Sequence, residues 1–257
     1  MDNGCFECNN VMHNNCVVFT THKLNVDIIN YLLYIKDEIR GIMDLLILYD
    51  NSVNPIIGSD YPDFNFCFFN SEKLNGFFHQ NNKLLPNTLM PLIECSNKYH
   101  YKHYLLMEND IILNGSFRSF VEKINIDDNV DYIHIASDIE GGPEKHWPIK
   151  YIKDNPFDNL YFAWCQLFYI SRKLLHEAEM FIKVNDSFHY EFLLPTIAYN
   201  GKFIVRQFEN FGYNFQLSWG PVEKYEDKYI YERKKNTFYH PIKNLGIVDF
   251  VRTQKIE

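Results

Sequence analysis

Two carboxylates separated by one residue close an apolar run in HYLLMENDIILNGSF (103–117): Leu105, Leu106 and Met107 lead into Glu108, Asn109 and Asp110, and a second apolar run follows. Side chains alternate faces along a strand, so residues two apart share a side. A strand ending in acid-x-acid can therefore present both carboxylates to one divalent cation bridging a diphosphate. Oxygen ligands of this kind suit Mg²⁺ or Mn²⁺, which take one or two carboxylates together with substrate phosphates. The same pattern also fits a strand-end turn bearing solvated acids.

A second candidate is Glu191 in FHYEFLLPTIAYN (188–200), early in an otherwise apolar helical stretch and four residues before Pro195. A carboxyl in such surroundings has its pKa raised, the direction a general base needs to accept a proton from a hydroxyl near neutral pH. Asp186, just upstream, competes for that role, and a first-turn acid favoured by the helix dipole is the structural alternative. Near the C-terminus, TFYHPIK (237–243) sets His240 and Lys243 on either side of Pro241. Trp147, Trp164 and Trp219 could stack on sugar rings or fill core. Cys5, Cys8, His13 and Cys16 have the residue types of a tetrahedral zinc site, although the last gap is short for one; the other reading is a tail running into a strand.

These residues need elements to hold them. Four segments combine β-branched or aromatic runs with an abrupt polar ending: 16–23, 44–52, 103–110 and 131–138. This is the pattern of buried parallel strands whose C-terminal ends carry function. Between the first two, Val26, Ile29, Leu32 or Leu33, and Ile35 or Lys36 follow helical spacing after an Asn25 cap. A third strand over 64–72 precedes a helix over 87–100. A strand entering a helix is expected over 160–175, a helix over 188–203 and a strand at FIVRQF (203–208). The fold class is α/β, with an open, mostly parallel central sheet and helices on both faces. Residues 1–15 read as a tail and 16–257 as one domain, with 140–159 a long loop over the sheet edge.

Composition narrows the function classes. Hydrophobic residues at 46% and charged residues at 23% exclude disordered and fibrous classes. A net charge of −8 with no basic stripe argues against nucleic acid as a partner. No apolar run reaches the ~18–20 residues of a membrane span, and the first residues lack signal-peptide character. A cytoplasmic protein is expected, so Cys67, Cys95 and Cys165 read as small core residues. The phosphate-loop, dinucleotide, serine-elbow and zinc-protease motifs are missing.

In element order over roughly 16–243, and in the acid-x-acid strand end, the chain resembles the GT-A glycosyltransferases, with Glu108 in place of the usual first Asp. The resemblance implies transfer of a sugar from a nucleoside diphosphate sugar donor to a glycan acceptor. It implies Asp110 as metal ligand, with Glu108 reaching ribose or a metal-bound water. Thr20, Thr21 and His22 at the end of the first strand, and Asp50 and Asn51 at the end of the second, would then hold the nucleoside. His240 would complete the metal shell and Lys243 would neutralise the diphosphate. The string from Glu191 to Thr196 is similar to the base-bearing helix of inverting members of the core-2 N-acetylglucosaminyltransferase type. Two alternatives stay open: a non-catalytic carbohydrate- or nucleotide-binding module, and a nucleotidyltransferase, although THKLNVD lacks the Gly- and Lys/Arg-rich loop of the latter.

Overall fold

A computed structural model of the chain describes residues 13–71, 79–80, 83–84, 89–126, 129–136, 146, 149, 152, 154–185, 188–217 and 234–242. In order they form β1 (Asn15–Thr21), α1 (Val26–Glu38), β2 (Asp44–Asp50), β3 (Asn65–Phe69), β4 (His79–Gln80), β5 (Lys83–Leu84), α2 (Leu89–Lys98), β6 (His103–Glu108), β7 (Ile112–Asn114) and α3 (Phe117–Ile124). There follow β8 (Tyr132–His134), β9 (Leu167–Ser171), α4 (Arg172–Ile182), α5 (Tyr190–Asn200), β10 (Val205–Gln207), β11 (Asn214–Leu217) and β12 (Thr237–His240).

Seven strands make one sheet in the order β10-β8-β9-β6-β1-β2-β3. All neighbours are parallel except at β9, which runs against both β6 and β8. The mostly parallel sheet expected from the sequence is therefore present, in a single α/β domain. Its strands are near-continuous apolar runs because both faces are covered. Along β1, Val17 and Phe19 pack with α1 and α3, while Cys16 and Val18 pack with α2, α4 and α5. This two-sided core reproduces the period-two alternation of a strand.

The local sequence explains the helix starts. The Asn25 side chain accepts from Ile28 N at 3.0 Å, and Ser116 and Ser171 cap α3 and α4 in the same way. The buried face of α1 holds Leu32 and Ile35 as expected but differs in its first half. Ile28, Tyr31, Leu32 and Ile35 face the core, whereas Val26 is 68% exposed at the helix mouth. Tyr31 and Tyr34 displace the aliphatic register because their rings fill the space over the sheet. Helix α5, apolar all round, is buried from Tyr190 to Ala198.

A small second sheet, β11-β12-β7, was not expected from the sequence. Cys67, Cys95 and Cys165 are buried as read, and so is Cys16 within β1. Cys5 and Cys8 lie outside the described residues. So does most of 140–159. Among the described residues no helix is long and apolar enough to cross a membrane.

Candidate active site

Glu108 ends β6 beside Thr20, its register partner on β1. Asn109 and Asp110 form the turn that follows, closed by Ile111 N donating to Glu108 O at 3.3 Å. Only Glu108 belongs to the strand, so sharing a strand face is not what brings the two acids together. The turn is pinned instead. The Tyr31 hydroxyl donates to Ile111 O at 2.7 Å, and Ile242 N donates to Asp110 O at 2.8 Å.

Strand β12 supplies the third group. It pairs antiparallel with β7, with Tyr239 opposite Ile112, so that His240 arrives over the turn. Its Nε2 lies 3.3 Å from Asp110 Oδ1 and 3.4 Å from Glu108 Oε2. Burial disfavours an imidazolium there, but the bonds to Asp110 and Glu108 outweigh it and hold the His240 pKa up at about 9. The three side chains are half-buried and offer two carboxylate oxygens and one nitrogen within 4.8 Å of one another. Two carboxylate oxygens, with an imidazole nitrogen once His240 gives up its proton, are a donor set suited to a divalent cation.

Glu191 faces this cluster from α5. It sits in the first turn, capped by His189, whose Nδ1 accepts from Glu191 N at 3.4 Å. Pro195 removes the amide that would normally bond the Glu191 carbonyl. That carbonyl accepts from Ala163 N at 3.0 Å instead, and this ties α5 to the segment entering β9. The carboxyl receives the Gln166 Nε2 at 3.3 Å and the Cys165 backbone N–H. Burial, and then the negative charge of Glu108, raise its pKa to about 8. Burial also lowers His189 to about 4. The two groups approach to 3.6 Å, a distance that would suit an ion pair, yet each is held neutral at pH 7 because the buried site penalises both charges.

The remaining expected residues are placed less uniformly. Thr20 and Thr21 are buried at the end of β1, and His22 is exposed just beyond. The Thr21 hydroxyl donates to Lys23 O, Asp50 Oδ1 accepts from Ser52 and Ser71, and Asn51 Oδ1 accepts from Ile56 N. These bonds shape the loops that follow β1 and β2. The hydrogen bonds from Ser52 and Ser71 overcome burial and lower the Asp50 pKa. Beside them a pocket opens between the ends of β1 and β2, lined by Lys23, Leu24, Asn25, Tyr49, Val53 and Pro55. Trp164 is half-buried, edge-on to Phe162. Lys243, Asp186, Trp147 and Trp219 lie outside the described residues. Sequence reasoning missed Gln166, although a lone amide inside FAWCQLFYI (162–170) is the signal that could have found it.

No protein-family model matches the chain. No curated protein matches it. Among solved structures it is similar to an active-site mutant of LgtC, at 10% identity over 93% of this chain and 95% of that one, with a TM-score of 0.49. A glycosyltransferase involved in glycosylation of the major capsid of PBCV-1 is 8% identical over 91% and 98% of the two chains, with a TM-score of 0.41. The 4-diphosphocytidyl-2C-methyl-D-erythritol synthase of Anaerococcus prevotii is 9% identical over 75% and 87%, with a TM-score of 0.45. What the site can do is decided by its own residues.

Proposed function

We propose that the chain is a GT-A-type glycosyltransferase that moves a sugar from a nucleoside diphosphate sugar to a hydroxyl of a glycan acceptor by an inverting single displacement. One observation carries this reading. His240 Nε2 lies within 3.4 Å of both Glu108 and Asp110 where β6 ends, and the carboxyl of Glu191 stands within electrostatic reach of Glu108 and His240.

Asp110, with Glu108 and His240, would hold Mn²⁺ or Mg²⁺. When bound there, the cation supplies positive charge for the donor diphosphate and the leaving nucleotide. Glu191 takes the acceptor proton in its ionised form, a minority at pH 7 that grows as pH rises toward its pKa of about 8, and that pKa makes the carboxylate a far stronger base than an exposed one. Burial on α5, with Pro195 freeing a carbonyl to anchor Ala163, fixes where that carboxyl points. Thr20 beside Glu108, and the pocket between the β1 and β2 ends, would receive the nucleoside, with Thr21, His22, Asp50 and Asn51 forming its walls or the loops behind them. Lys243, next after Ile242, is assigned to the diphosphate.

Thermal-shift measurement with UDP, GDP and ADP, each with and without Mn²⁺, tests the metal assignment by linkage. One nucleotide should stabilise the native chain only when metal is present, and Asp110→Ala should lose that increment. Full metal-dependent stabilisation in the variant would overturn the assignment. Slow release of nucleoside diphosphate from the matching nucleotide sugar, without acceptor, separates an enzyme from a binding module. A product that keeps the donor's anomeric configuration would remove Glu191 as a simple base.

A further inference from the structure

Gln166 Oε1 is buried and has no hydrogen-bond partner among the described residues. A buried acceptor left unpaired is destabilising, so its persistence in a site asks for a reason. The residue stands immediately before β9. Its main-chain oxygen accepts from Glu108 N at 3.0 Å, and its Nε2 donates to Glu191 Oε1 at 3.3 Å. One residue thus joins the acidic strand end to the carboxyl on α5.

A carboxylate needs a donor opposite it, whereas a carboxylic acid needs an acceptor for its O–H. A carboxamide carries both, and a half-turn about its last bond exchanges them. We propose that Gln166 is a positioning residue for Glu191 that turns its carboxamide to keep the carboxyl hydrogen-bonded in both protonation states. Nε2 faces the carboxylate before the proton is taken from the acceptor hydroxyl, and Oε1 accepts from the acid afterwards. The inference rests on Glu191 acting as the base, because a base alternates between these two states in each turnover.

The other titratable groups facing Glu191 are Glu108 on β6, His240 on β12, His189 at the head of α5, the Cys165 thiol and the Tyr132 hydroxyl on β8. The Cys165 N–H is a fixed donor and cannot serve the protonated form.

The test is an NMR titration of the whole chain with isotope-labelled glutamate and glutamine side chains, without metal, nucleotide or acceptor. The Gln166 amide resonances should move with the same midpoint as the Glu191 carboxyl carbon and stay flat in Glu191→Gln. Hydrogen bonds to charged groups are stronger than those to neutral ones, so Gln166→Met should raise the Glu191 midpoint by about one pH unit. An amide indifferent to the Glu191 titration, or an unmoved midpoint in the Met variant, would overturn the proposal. If the Met variant does not fold, the native amide signal still decides. Failure of the base assignment shows separately, as undiminished sugar transfer by Glu191→Gln.

Discussion

Glu191 keeps its proton at neutral pH because burial and the charge of Glu108 both disfavour the carboxylate. Folding raises its pKa from 4.5 to about 8, so the folded chain binds more protons than the unfolded chain between those values. The stability linked to this group is complete below the lower value and is lost as pH rises through the upper one. Glu191→Gln removes that loss. In urea denaturation the variant should exceed the native chain by a few kcal/mol, in order of magnitude, at about pH 9, with the gap closing toward about pH 5. His189 and His240 also titrate, but they are common to both proteins and largely drop out of the difference. The same substitution should lower the rate of sugar transfer at least ~100-fold, the scale of a lost general base.

Elements set the geometry that the residues use. The turn after β6 is braced by α1 through Tyr31 and by the β12 segment through Ile242. Tyr31 is 2% exposed, and its hydroxyl satisfies the buried Ile111 carbonyl. Tyr31→Phe keeps the ring packed against Phe19 but strands that carbonyl. A loss of about 1–3 kcal/mol is expected in urea denaturation. Because the carbonyl lies one residue from Asp110, stabilisation of the variant by Mn²⁺ should fall as well. Unchanged stability and an unchanged metal response would show that α1 does not brace this turn.

At the scale of the whole molecule, the central sheet carries β6 and the second sheet carries His240, so the site depends on how the two are joined. Phe120 on α3 lies at that joint, with ring centroids 4.9 Å from both Tyr213 and Phe238 and 5.5 Å from Phe208. Phe120→Ala should cost about 3–5 kcal/mol by cavity formation. It should also weaken the Mn²⁺ response out of proportion to a core truncation on the opposite face, such as Leu174→Ala on α4. Equal effects of the two truncations on metal binding would show that the second sheet holds His240 without help from α3.

The sequence by itself determined where the main strands lie along the chain, because buried strands are apolar on both faces and end abruptly in polar residues. It also marked the acids Glu108 and Asp110 at the close of the β6 apolar run and the odd carboxyl at Glu191, since an acid beside or inside an apolar run is visible without coordinates. Only the tertiary structure decided that His240, some 130 residues beyond Asp110, meets both acids, for that contact depends on the pairing of the short strands β7 and β12. It likewise put Ile28 and Tyr31, rather than Val26 and Ile29, on the buried face of α1, where the Tyr31 ring packs against Phe19. Gln166 was legible only as a lone amide. Its meaning required β9 to run antiparallel beside β6 and α5 to lie across its entry, which are long-range relations that local patterning does not encode.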